Sequence, residues 1–113
     1  MPEQIQLDDE DAKIVTLARS ARARTQAAEG AAVRDTDGRT YAAATVSLPS
    51  LSLTALQAAI AAAAASGAEG IEAAAVVTGG EVAPESVAAV RDLAAKAPIY
   101  VADGRGTITE VLE

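Results

Sequence analysis

The chain has no histidine, no cysteine, no tryptophan and no phenylalanine, and its aromatic residues are the tyrosines at 41 and 100. Histidine is the side chain whose unperturbed pKa lies near neutrality, and histidine and cysteine hold zinc and most catalytic transition metals. Most routes to neutral-pH catalysis are therefore closed, and no cofactor is expected. No disulfide can brace the fold, so packing must supply the stability. Tyr41 and Tyr100 alone offer little on which nucleobases can stack. The net charge of −7, from 9 basic and 16 acidic residues, opposes nonspecific attraction to a nucleic acid backbone. The most apolar run, Ala58 to Ala65, is alanine except for Ile60 and is shorter than the roughly 20 residues that a bilayer span needs. Neither nucleic acid nor membrane is an expected partner. The stretch Met1 to Lys13 is acidic and lacks the basic-then-apolar order of a signal peptide, so a cytoplasmic location is expected.

What is present reads as one α/β domain over residues 1–113. A first helix is predicted from Asp9 to Ala28, because Ile14, Leu17, Ala18, Ala21, Thr25 and Ala28 recur at helical spacing. Its first turn is acidic, which suits the helix dipole, and Gly30 is expected to end it. Ala31 to Asp35 and Arg39 to Leu48 flank Thr36-Asp37-Gly38, a strong hairpin signal. Pro49, Ser50 and Ser52 read as a break before a central helix from Thr54 to Gly67, whose Leu53, Leu56 and Ile60 give a core-facing edge. Ile71 to Gly79 is a short apolar run of the kind that forms a buried strand. Pro84 opens a third helix, to about Lys96, with Val87, Val90 and Leu93 on one face. Ile99 to Ala102 and Thr107 to Leu112, joined by Asp103-Gly104-Arg105-Gly106, read as a closing hairpin. The order α-β-β-α-β-α-β-β predicts a three-layer α/β/α sandwich around a mixed five-stranded sheet.

Several constellations suggest chemistry and do not complete it. Asp35-Thr36-Asp37-Gly38 opens like a calcium loop, but Val46 stands where the bidentate glutamate should be, so it reads as a hairpin turn. Gly79-Gly80 and Gly104-Arg105-Gly106 present glycines as phosphate loops do. Neither matches a full fingerprint, Glu81 and Glu85 near the first would repel an anion, and both read as turns. Arg19, Arg22 and Arg24 form the one basic cluster and read as a solvated helix face. Serine or threonine nucleophiles need a neighbouring base, and the sequence places none beside them.

The layout and the local sequence together resemble the cytidine deaminase family. In that family the central helix begins with a pattern like G-L-T-x-C-A-E-R-T-A, where the cysteine ligates zinc and the glutamate shuttles protons, and a later P-C-x-x-C supplies two more ligands. Ser50-Leu51-Ser52-Leu53-Thr54-Ala55-Leu56-Gln57-Ala58-Ala59-Ile60 resembles the first pattern without a gap, and Pro84-Glu85-Ser86-Val87-Ala88 resembles the second. The resemblance thus places Thr54, Glu85 and Ala88 at the ligand positions and Leu56 at that of the acid. Gly38, Leu51, Ala55, Ala59, Ile60 and Pro84 carry the framework match. Counting back to the ribose-gripping pair of the family gives Ala43 and Thr45.

The resemblance therefore implies a deaminase-like fold from which zinc ligands and proton carrier are missing. The expected role is a catalytically inactive, oligomeric binding or scaffold module, a dimer or tetramer with a protein partner of its own. Its alternatives are a nucleoside- or nucleotide-binding sensor that keeps the old pocket and, more distantly, a hydrolase using carboxylates. Leu56 is expected to be buried, filling the space a metal would take. The uncharged alanine face of the central helix is expected to be covered, by other helices of the chain or by a second copy.

Overall fold

The computed structural model describes residues 6–113, so the expectation made on Met1 to Lys13 falls in part outside the described residues. The elements are α1 (Asp9–Thr25), β1 (Glu29–Asp35), β2 (Thr40–Ala44), β3 (Val46–Leu48), β4 (Leu51–Leu53), α2 (Ala55–Ala65), β5 (Ile71–Thr78), α3 (Pro84–Leu93), β6 (Ile99–Ala102) and β7 (Ile108–Leu112). Five strands form a mixed sheet in the order β2-β1-β5-β6-β7, in which only β5 and β6 run parallel. Among the described residues no helix is long and apolar enough to cross a membrane.

Alternation along the central strands builds two cores. Ala31 and Val33 of β1 and Ala74 and Val76 of β5 face α2 and α3, meeting Leu56, Ala59, Ile60, Ala63 and Val90. Ala32, Ala73, Ala75 and Val77 face the other way and meet Ile14, Val15 and Ala18 of α1. This is the expected three-layer sandwich, α1 on one side and α2 with α3 on the other. Small residues on both partners let helix and sheet approach closely, so packing substitutes for side-chain bulk. The α1 face also holds a polar cluster. Arg34 Nη2 donates to Asp11 Oδ1 at 2.9 Å and Arg34 Nε to Glu72 Oε1 at 2.8 Å, and the Tyr100 hydroxyl donates to Asp11 Oδ2 at 2.6 Å.

Both Asp-Gly hairpins are present and bonded alike. Asp35 Oδ1 accepts from the N–H of Asp37 and of Arg39, and Asp103 Oδ1 from those of Arg105 and Thr107. Gly38 and Gly106 take the same place in the two turns with φ of 86° and 85°, a conformation that L side chains rarely adopt. Asp35 is 1% exposed, and burial works against its charge. The N–H groups and the Tyr41 hydroxyl outweigh that and hold its carboxyl below the ordinary range.

The structure corrects four sequence expectations. First, α1 stops at Thr25 rather than Ala28, because Gln26 turns left-handed with φ of 53°. Second, Gly30 does not cap that helix but lies inside β1, where a side chain would collide with Ala18 O and come within 2.7 Å of Arg22 N. Its role is to let α1 lie on the sheet. Third, the long second strand is two pieces: β2 ends at Ala44, and β3 pairs with β4 as a separate small hairpin around Pro49 and Ser50. The supposed break is thus a turn. Fourth, α3 ends at Leu93, where Arg91 Nη1 donates to the carbonyls of Ala94 and Ala97 at 3.2 and 2.7 Å and fixes the chain leaving the helix.

Candidate functional site

Thr54 begins α2 as its N-cap. Its Oγ1 accepts from Gln57 N at 3.2 Å while Gln57 Oε1 accepts from Thr54 N at 2.9 Å, a reciprocal cap that anchors the helix start. The same Oγ1 accepts from the Ser86 hydroxyl on α3 at 2.7 Å. This bond ties the two helices together at their N-terminal ends. Two residues on from the shared cap, Leu56 is 0% exposed and packs in the core, as expected from the sequence.

The remaining candidate positions are dispersed. Glu85 and Ala88 are exposed on α3, whereas Ser86, which sequence reasoning passed over, is buried at 1% and faces Thr54. The Pro84 start sets this register: on a helix only every third or fourth residue returns to one face, and here Ser86 and Val90 take the inner one. Ala43 packs half-buried against the core. Thr45 ends the main sheet at β2, its Oγ1 accepting from Glu29 N at 3.0 Å and donating to Glu29 O at 3.3 Å. The structure therefore brings Thr54 and Leu56 to one place, sets Thr45 in the same cleft as Thr54, and leaves Glu85 and Ala88 in solvent.

A zinc ion of the kind the resemblance implies does not fit these residues. Thr54 Oγ1 is already bonded by a backbone N–H and a hydroxyl, Ala88 has no donor atom, and Leu56 carries no proton to shuttle. Among the described residues no three Asp or Glu side chains gather closely enough to hold a metal ion.

Beside this junction lies an open cleft of about 460 Å³. Arg22, Glu29, Thr45, Ser52, Thr54, Thr78 and Gly79-Gly80 are among the residues that line it. A second cleft of about 430 Å³ lies beyond Arg22, lined also by Arg19, Gln26, Val77 and Gly104. Arg22 is thus half-buried between two openings, not on a solvated face with Arg19 and Arg24.

Among curated protein sequences none matches this chain. A solved structure, a cytidine deaminase from Burkholderia pseudomallei, superposes with a TM-score of 0.76 at 23% identity, covering 89% of this chain and 90% of that one. That likeness establishes the fold. The family model described as cytidine deaminase-like matches residues 7–106, which takes in α1, the sheet as far as β6, and the α2 and α3 starts where Thr54 meets Ser86. By its sequence over that span and by its fold, the chain belongs to the cytidine deaminase-like family.

Proposed function

We propose that this protein is a deaminase-fold module without deaminase chemistry, acting as an oligomeric binding or scaffold protein. The observation that carries the reading is the junction of α2 and α3. A buried leucine occupies the position that the family resemblance gives to the acid, and Thr54, at one of its ligand positions, is bonded to the Ser86 hydroxyl. Such a junction is a structural contact: every polar group in it has a partner, and water has no activated place to attack from.

The assembly part of the reading rests on surface. Ala61, Ala62, Ala64 and Ala65 leave the outer face of α2 exposed without a charge, and Leu48 and Leu51 on the β3–β4 hairpin are 59% and 50% exposed. Apolar residues in such positions suit a second copy of the chain. The α2 expectation needs one amendment, because Ala63 is 0% exposed within the single chain and belongs to its own core.

Elemental analysis and a cytidine assay test the first part: the expected result is no stoichiometric zinc and no uridine, and about one zinc per chain with uridine formed would overturn it. Light scattering tests the second. An oligomer that Ala62→Glu splits, with unchanged circular dichroism, is expected, and a monomer at micromolar concentration would overturn the assembly.

A second reading, a nucleoside- or nucleotide-binding sensor, is favoured by the cleft that Thr45, Thr54 and Thr78 line with hydroxyl-bearing side chains. Thermal shift separates the two readings, since a ligand at about 100 times its Kd adds roughly 2.7 kcal/mol.

A further inference from the structure

Three arginines are half-buried, Arg22, Arg34 and Arg91, and two of them have strong partners within the chain, although Arg34 Nη1 is buried without one. Arg34 reaches two carboxylates and Arg91 two carbonyls. Arg22 differs. Its one hydrogen bond among the described residues is from Nε to Ala27 O, long at 3.4 Å, and it forms no ion pair there. A guanidinium offers five N–H donors, so most of this one's capacity is unspent although the group is partly withdrawn from water.

The unspent end is aimed. A methyl group built on Gly104 would lie 3.2 Å from Arg22 Nη1, and one built on Gly79 would lie 3.6 Å from Nη2. The two terminal nitrogens thus rest over the turns that follow β5 and β6, at the carboxyl ends of the two parallel strands. Ligands of open α/β sheets bind outside those ends. Arg19 joins from one turn earlier in α1, its Cδ 3.6 Å from where a Gly106 methyl would be. Glycine at 79 and 104 keeps this space clear.

The second cleft, of about 430 Å³, is lined by both arginines, Gln26 and Gly104, with Ala23, Ala27 and Val77 as its apolar part, and by no acidic residue. The nearest acid along the chain, Asp103, has Oδ1 engaged by the N–H of Arg105 and Thr107. In a chain of net charge −7, a recess holding two arginines and no carboxylate is locally reversed in sign. Screening over roughly 8 Å at physiological salt lets that local sign prevail over the distant acids. At the end of α1 the carbonyls of Ala21, Arg22 and Ala23 accept from Thr25, Ala27 and Gln26.

We propose that this cleft, between the end of α1 and the β6–β7 turn, is a binding site for a phosphoryl group, held by the guanidinium forks of Arg22 and Arg19. The planar fork suits two oxygens of a phosphate at once, and the apolar wall of Ala23, Ala27 and Val77 receives the uncharged part of a phosphate ester. The site does not depend on the assembly or inactivity of the protein.

The test is a titration of the full chain at constant ionic strength with inorganic phosphate and, separately, with glycerol phosphate, using acetate as the monovalent control. Amide shifts at Gly79, Gly104 and Gln26 are read by NMR. Saturable shifts are expected with both phosphates and not with acetate. Arg22→Gln should weaken binding by about tenfold or more, as loss of a charge-assisted pair does. Arg19→Gln, on an exposed side chain that the fold does not need, should weaken it in the same direction, and Arg24→Gln should leave it unchanged. Tighter binding of the ester identifies a phosphorylated small molecule, and equal binding identifies free phosphate. Absence of saturation, or an Arg24→Gln loss equal to that of Arg22→Gln, would overturn the site as nonspecific attraction to a basic helix end.

Discussion

The junction of α2 with α3, through Thr54, and Arg22 line the same cleft, and they differ in what they have left to give. At the junction Thr54, Gln57 and Ser86 bond one another and Leu56 has no exposure. Elsewhere on the cleft Arg22 keeps most of its donors unmatched among the described residues. A satisfied polar group gains nothing from a ligand, whereas an unsatisfied one that is partly desolvated gains the full difference between a weak partner and a strong one. The resemblance to the family puts its expected acid and one expected ligand position, Leu56 and Thr54, at the first place. Physical chemistry marks the second as where binding remains to be won.

The comparison breaks most visibly at Leu56. Leu56→Glu puts an unpaired carboxylate into the core, and a loss of roughly 3 kcal/mol or more is expected in urea unfolding at pH 7. An unchanged midpoint would mean that the junction is open and wet. Ser86→Ala removes the bond between the helices and leaves Thr54 with its cap alone, for an expected loss of about 1 kcal/mol by the same measurement. On the opposite face of the sheet, Tyr100 extends the rule to a satisfied group that titrates. Burial and the bond to Asp11 push its hydroxyl up to about 12 from an ordinary 10.0. The neutral phenol is the form the fold favours, so its stabilisation is whole below pH 10, the unfolded value, and is lost as pH rises to about 12. Stability measured across that window should fall more steeply for the unmodified protein than for Tyr100→Phe. The smallest effect is expected at Arg22 itself. Arg22→Gln gives up one long hydrogen bond, so urea unfolding should shift by no more than about 0.5 kcal/mol even as phosphate binding is lost.

How far the sequence could be read depended on whether the deciding contact was local. Asp35 to Gly38 and Asp103 to Gly106 contain their turn chemistry within five residues, and both hairpins follow from it. Thr54 and Gln57 likewise spell out the start of α2. Gly30 misled because glycine after a helix is so often a cap, whereas its reason lies in α1 folding back over it, a contact that no local pattern reveals. Ser86 was missed since the match to a family motif fixes positions along a string, while burial depends on which side of α3 turns inward. Glu85 and Ala88 occupy the motif's two ligand positions and face solvent; Ser86 occupies one of its unconstrained positions and holds Thr54. Arg22 was read with Arg19 and Arg24 because all three are charged. Its separate environment is made by Gly79 and Gly104, distant in sequence and brought close by the parallel strands.

The sheet order β2-β1-β5-β6-β7 also divides the chain in time. Its two flanks are hairpins, each joined by a short turn, and hairpins of that kind form in about 1–10 μs. Strand β5 must instead find Glu29–Arg34 on one side and Ile99–Ala102 on the other across long stretches of intervening chain, at a loop-closure cost that the hairpins do not bear. It is the keystone laid between two finished piers. Folding is expected to wait on its insertion, and its amides, of Ala73 to Val77 above all, to be the last to exchange with deuterium.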